Sequence, residues 1–271
     1  MDLDLLNTKS AYEFALWMTD LRADEFTMEY IVNCNRDFDV FWNTIKDRTI
    51  DIDVNDIKIV AFHVLGSLDN CSEIKEYGLH NLQYVLSENT VLNRLLKENG
   101  IEFDIANRIM VCDNVKYNID YDHYKNLRFK NKMDKQLESI AHRIYYDFCV
   151  NGFLVCDDVK RYGTDIHERP EFLQTLLEIS QNGIDVDCYW RNNHTSYIVT
   201  FFAYIDQIHK FQFNLEDNNF EYTEDELWTI KRWMLSLAID RAYDELNEEY
   251  LYIRDNMYIP PEQIIKIEEL E

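Results

Sequence analysis

An α+β fold is the architecture this sequence predicts, and three observations lead to it. Apolar residues make up 46% of the 271 residues, enough to pack a core rather than leave a disordered chain. Glycine (6) and proline (3) are scarce while tyrosine (18) and phenylalanine (15) abound, which favours long helices and aromatic-lined strands over linkers. Helical and strand periodicities mix along the chain without a regular βαβ rhythm, and no internal repeat or low-complexity stretch interrupts them.

The first fifty residues predict helices. Ser10 with Glu13 has the form of a capping box, and Ala11, Phe14, Ala15, Met18 and Leu21 recur at spacings of three and four. MEYIVNCNRDFDVFWNTIKD continues the helical pattern. DRTIDIDVND, residues 47–56, changes composition and marks the junction between a helical segment, 1–50, and a main domain, 51–271. Residues 57–65 predict a strand buried on both faces, with Ile57, Ile59, Ala61 and His63 on one side and Val60, Phe62 and Val64 on the other. Asn70 and Glu73 predict the cap of a short helix that ends at Gly78.

RIMVCDNVKYNID predicts two hairpin-like strands, and the stripe Met133, Leu137, Ile140, Ala141, Ile144, Tyr145 and Phe148 predicts an amphipathic helix. ERPEFLQTLLEIS, 168–180, opens another helix with Pro170 suited to its first turn. TSYIVTFFAYI, 195–205, is the clearest strand, rich in β-branched and aromatic residues. A Thr223–Glu226 capping box opens a long helix. EYLYIRDNMYIPPEQIIKIEEL then predicts a strand, a turn at Pro260–Pro261 and a final strand.

The formal charge is −24, from 27 Lys and Arg against 51 Asp and Glu. Such a chain repels phosphate backbones, so nucleic acid is not an expected partner outside a local basic patch. The nearest patch, YKNLRFKNKMDK at 124–135, holds five Lys and Arg and reads as a solvated loop and helix start. The acidity itself fits either simple solubility or a surface that occupies a partner's basic, nucleic-acid-binding groove. Six cysteines lie scattered with no CxxC pair and no histidine at ligand spacing, so neither a metal site nor a disulfide framework is predicted. Reduced thiols in a cytoplasmic protein are the expectation. MDLDLLNTKS lacks a basic region and a long apolar run, so no signal peptide is predicted, and no window approaches eighteen apolar residues, so no membrane partner is expected.

The sequence holds no GxxxxGK[ST], GxGxxG, HExxH or GxSxG signature. With six glycines, a phosphate-cradling loop is hard to build, and a bound nucleotide would need side chains, aromatic stacking and helix ends. Three elements carry candidate chemistry. His63 at a strand's end suits either a core histidine satisfied by a carbonyl or a donor to ligand hydroxyls. Tyr197, beside Ser196, suits either a core tyrosine sharing a face with Val199 and Phe201 or a ring that stacks on a planar heterocycle. Glu248 and Glu249, where a long helix gives way to a strand, suit either solvated surface or a carboxylate facing a cleft. There a carboxylate would stabilise the positive charge that grows on a ribose carbon as its leaving group departs.

In this order, with AFHVLGSLDNCSEIKEYGL early and YIPPEQIIKI late, the chain resembles the ADP-ribosyltransferase-like superfamily of His–Tyr–Glu type over roughly residues 57–271. The resemblance implies a split antiparallel or mixed β-sheet core and NAD as substrate. It implies that His63 contacts a ribose hydroxyl and that Tyr197 stacks on nicotinamide with Ser196 beside it. It also implies that Glu249, or Glu248 next to it, stabilises the oxocarbenium-like transition state. The implied activity is ADP-ribosyl transfer or NAD hydrolysis by a cytoplasmic toxin, defence or counter-defence protein. The net charge favours a protein or small-molecule acceptor. The alternatives are a non-enzymatic acidic inhibitor bound to a basic partner surface, and a regulatory scaffold that docks through the N-terminal helices.

Overall fold

The computed structural model describes residues 1–162, 164–177, 179, 181–216 and 222–271. In chain order the elements are β1 (Asp2–Asp4), α1 (Thr8–Thr19), α2 (Ala23–Phe26), a π-helical turn (Thr27–Asn33), α3 (Phe38–Ile45), β2 (Lys58–Ser67), α4 (Ser72–Tyr77), α5 (Leu82–Ser87) and α6 (Val91–Glu98). They continue with β3 (Ile101–Asp104), β4 (Ile109–Cys112), β5 (Val115–Asn118), α7 (Tyr121–Lys125), α8 (Lys132–Tyr145), β6 (Asn151–Cys156), α9 (Glu171–Leu176) and α10 (Gln181–Asn193). The last are β7 (Thr195–Ala203), α11 (Glu224–Ala242), β8 (Glu248–Tyr252) and β9 (Ile264–Glu269). Helices and strands are mixed, β6 runs antiparallel to β2 and β8, β3-β4-β5 are antiparallel and β1 is parallel to β2, so the fold is α+β. The main sheet runs β8-β6-β2-β7-β9 with β1 parallel to β2, and β3-β4-β5 form a separate meander. Among the described residues no helix is long and apolar enough to cross a membrane.

The chain divides into two compact units: 1–62, 151–157 and 201–252 form the first, and 63–150, 158–200 and 253–271 the second. In unit one, α1 packs on α11, whose Thr223–Glu226 capping box forms as its spacing predicts. Phe14, Phe26, Phe41, Phe201 and Phe213 are fully buried there. Two features differ from the sequence expectation. A short strand, β1, precedes the helices and pairs Leu3 with Ile59. Asn7, not Ser10, caps α1, its side chain accepting from Ser10 N at 2.8 Å. Lys231 of α11 is buried, and its ammonium donates to the carbonyls of Thr49 (2.6 Å) and Ile50 (3.1 Å). That contact fixes the residues that precede β2.

Unit two encloses an apolar cluster in which Leu137, Ile140, Ala141 and Ile144 of α8 meet Leu92 and Leu96 of α6, Met110 of β4 and Leu173 of α9. The α8 stripe is therefore a core face, as its 3.6-residue period requires. β3 joins the expected β4–β5 hairpin. The helix expected over 168–180 is shorter, spanning Glu171–Leu176, with residues 178 and 180 outside the described residues. α10 is an added element: Val186 and Trp190 enter the apolar cluster, and Gly183 lets the helix approach α9 so closely that a Cβ there would lie 2.3 Å from the Leu176 carbonyl oxygen.

Gly78 closes α4 at φ +90, and a Cβ on it would lie 2.1 Å from the Ile259 carbonyl oxygen. That carbonyl accepts from Leu79 N at 2.8 Å, so it cannot withdraw without breaking the Leu79–Ile259 bridge. Gly78→Ala meets both a left-handed backbone and a steric overlap. It is expected to lower stability by about 2 kcal/mol or more, read as a lower urea midpoint with an unchanged m-value.

Candidate functional site

The apolar run that makes β2 continues two residues past its predicted end, through Gly66 and Ser67. The chain then turns on side-chain oxygens. Ser67 Oγ donates to Asp69 Oδ1 (2.7 Å) and accepts from Cys71 N (2.9 Å). Asp69 Oδ2 accepts from Glu73 N (2.8 Å), so Asp69 rather than Asn70 caps α4. Asn70 stands instead at φ 56, a left-handed conformation that asparagine tolerates, with its side chain turned to Tyr197.

Tyr197 lies near the start of β7. Its ring is 6% exposed, and its hydroxyl lies 3.2 Å from Asn70 Oδ1 and 3.4 Å from Glu269 Oε1 of β9. Burial first, and the Glu269 carboxylate second, push its phenol above the ordinary tyrosine range. Ser196 points to the other side of the strand, where its hydroxyl donates to the His167 carbonyl at 2.7 Å. Tyr197 and Ser196, adjacent in sequence, thus serve opposite faces. His63 is half-buried on β2 and shares its strand side with Ala61.

The segment containing His167 is pressed against β2. A Cβ on Gly66 would lie 2.3 Å from the Glu168 carbonyl oxygen, and Trp190 Nε1 donates to the Gly66 carbonyl at 3.0 Å. Three ion pairs hold the segment to α10, one of them between Arg191 Nη2 and Asp165 Oδ2 at 3.4 Å. Arg169 Nε lies 2.5 Å from Asp187 Oδ1, and Arg191 Nη1 lies 2.5 Å from Glu168 Oε2. Within it, Thr164 Oγ1 and His167 Nδ1 are buried without a hydrogen-bond partner. Buried polar atoms in that condition are uncommon and point to a ligand or ordered solvent.

The two glutamates belong to unit one. Glu248 is exposed opposite Cys156 and accepts a hydrogen bond from the Tyr250 hydroxyl. Glu249 is half-buried opposite Val155, beside a bulge in β6 between Phe153 and Val155. Gln212 Nε2 approaches Glu249 Oε1 at 3.5 Å, and Gln212 Oε1 in turn accepts from Tyr252 N at 3.3 Å. Burial pushes the Glu249 carboxyl above the ordinary glutamate range. Strand alternation gives Glu249 the side of the fully buried Leu251, and Glu248 the side of Tyr250. Leu251 pairs with Gly152, where a Cβ would lie 2.8 Å from the Phe201 ring and 3.3 Å from the Ala61 methyl.

Sequence reasoning missed Asn70, Asp69, His167 and Glu269. The SLDN turn carried a signal, since consecutive Ser, Asp and Asn after a strand favour side-chain-closed turns; His167 and Glu269 carried none. Burial raises the Cys71 thiol to about 11 and the Cys149 thiol to about 12, so neither is an activated nucleophile. Among the described residues no disulfide joins any of the six. Comparison with protein-family models, with curated proteins and with solved structures finds no match.

Proposed function

We propose that the protein splits NAD, transferring ADP-ribose to a protein or small-molecule acceptor or to water, on an ADP-ribosyltransferase-like fold. The observation that carries this reading is Glu249. A carboxyl that is half-buried, raised by desolvation and steered by a backbone-anchored amide is a functional-site candidate rather than a solvated surface charge. Of the two adjacent glutamates, only Glu249 has this environment. The unsatisfied Thr164 and His167 atoms beside Ser196, and the polar setting of the Tyr197 hydroxyl, add support for a polar ligand near the start of β7.

In this reading Glu249 is the carboxylate that stabilises the ribose, and the resemblance assigns the ribose hydroxyl to His63 and the nicotinamide to Tyr197. The bond between C1′ and the nicotinamide nitrogen breaks, and its electron pair leaves with nicotinamide. The ionised Glu249 stabilises the cationic ribose. A nucleophile on the acceptor, or water, then forms the new bond to C1′ and releases a proton. Positioning and electrostatics supply the rate enhancement.

Incubation with NAD labelled in either half tests the proposal: released nicotinamide and labelled macromolecule or free ADP-ribose are expected. No turnover, together with salt-sensitive binding to a basic protein, would replace the enzyme with the acidic-inhibitor alternative. The pH profile provides a second check. Because the ionised carboxylate is required and its folded pKa is raised, activity falls as pH drops through that raised value. The acid limb is therefore expected above the usual glutamate value of 4.5. A limb at or below 4.5 would mean that another group governs it.

A further inference from the structure

The pair of helices α7 and α8 in unit two carries a surface unlike the composition of the chain. Of twelve exposed residues between 121 and 146, four are cations (Lys125, Arg128, Lys132, Lys135) and one, Asp122, is a carboxylate. The whole chain has the opposite balance, 27 Lys and Arg against 51 Asp and Glu. Asp122 is itself engaged: it accepts from the Tyr146 hydroxyl at 3.1 Å and lies 3.9 Å from Arg108. Along α8 the exposed stripe reads Lys132, Lys135, Ser139, His142 and Tyr146, a helical spacing with no acid on it.

Flat rings mark both ends of this surface. Phe129, in the loop between the helices, is 82% exposed, with the Arg128 guanidinium 5.6 Å from its ring centre. At the far end Tyr146 is 51% exposed, and its ring lies 4.3 Å from Tyr121 and roughly parallel to His142 at 6.1 Å. An apolar side chain that exposed costs free energy in water and gains only when something covers it.

We propose that this face binds single-stranded nucleic acid, with bases stacking on Phe129 and Tyr146 and phosphates meeting Lys125, Arg128 and Lys135. The 14 residues of α8 rise about 21 Å, the length of about six stacked nucleotides. Rings at the ends of a cationic track are the elements that bind single strands without sequence preference. The net charge of −24 does not forbid this, because charges more than about 8 Å from the track are screened at physiological ionic strength. A bilayer would find one exposed Phe among hydroxyls, imidazoles and amides, too little apolar surface to bury. An acidic peptide would use the cations and leave the rings idle. Such binding does not depend on NAD chemistry.

The test is fluorescence anisotropy with labelled oligouridine and oligothymidine of about ten nucleotides. Affinity is expected to fall with salt between about 50 and 200 mM, with a log–log slope of about −2 from Lys125, Arg128 and Lys135. Phe129→Ala is expected to weaken binding at least about fivefold. Lys125→Ser with Arg128→Ser is expected to reduce the slope by about 1.4. All three positions are exposed, so the thermal midpoint should stay at the wild-type value. Absence of binding at low salt, an unchanged affinity in Phe129→Ala, or tighter binding to polyglutamate or to phosphatidylserine vesicles would overturn the proposal.

Discussion

Glu249→Gln is expected to abolish nicotinamide release and, at neutral pH, to make the protein more stable. The loss follows from the proposed role: a neutral amide cannot stabilise a cationic ribose, and removing one such electrostatic contact lowers kcat by about 10²–10³-fold. The gain follows from linkage. Burial raises the folded pKa of Glu249, so the folded state favours the protonated form and loses stability as pH rises from the ordinary glutamate value through the raised one. At neutral pH the wild-type carboxylate is ionised and half-desolvated, and the amide removes that cost without changing shape. Thermal unfolding of both forms at pH 5 and pH 8 checks the sign, with the advantage of the variant expected to grow with pH. Glu248→Gln should leave turnover within a fewfold, since its carboxylate is exposed and engaged by the Tyr250 hydroxyl. A variant at 249 that loses activity together with its fold would point to a structural carboxyl. A variant that keeps full turnover would remove Glu249 from the chemistry.

Elements whose local signals agree with their surroundings were legible in the sequence. β2, α8 and α11 each have one dominant cue, an uninterrupted apolar run, a 3.6-residue stripe and a capping box, and each forms close to its predicted bounds. Where several polar residues competed for one job, the order of side chains did not decide it. Asp69 displaced Asn70 at the cap of α4 and Asn7 displaced Ser10 at the cap of α1, because a cap depends on which oxygen reaches an amide. α10 is hard to read because its buried side carries only two large apolar residues, Val186 and Trp190, and interleaves them with Gly183 and Asp187. The glutamate pair shows the same limit at the site. Adjacent strand residues differ only in the face they take, and which face is buried depends on Leu251, Gly152 and Phe201, distant in sequence from one another.

Removing Asp187 should be strongly destabilising for unit two. Its side chain is 8% exposed and faces the Arg169 guanidinium, itself 3% exposed. Arg191 Nε adds a second cation at 3.2 Å. The 2.5 Å approach between Arg169 Nε and Asp187 Oδ1 lacks hydrogen-bond alignment, so charge attraction rather than a directed bond holds it. Arg169 also donates to the Thr164 carbonyl at 3.0 Å, which satisfies part of the guanidinium but does not neutralise it. Asp187→Ala therefore leaves a buried cation with no counter-charge at contact distance, a defect that costs about 3–5 kcal/mol. Glu168 and Asp165 cannot fill the gap, since both are held by Arg191, at 2.5 and 3.4 Å. The double change Arg169→Met with Asp187→Leu removes both charges and should recover most of the loss, because a buried ion pair contributes little net stability over an apolar pair of similar size. Urea unfolding of Arg169→Met, Asp187→Leu and the double variant gives the coupling directly. If Asp187→Ala costs no more than an exposed substitution, about 0.5 kcal/mol, then Arg169 reaches solvent and the segment that carries His167 is not pinned to α10. If the predicted loss is found, the same charge pair also fixes the carbonyl that receives Ser196, and with it the entrance to β7 at which Tyr197 meets Asn70 and Glu269.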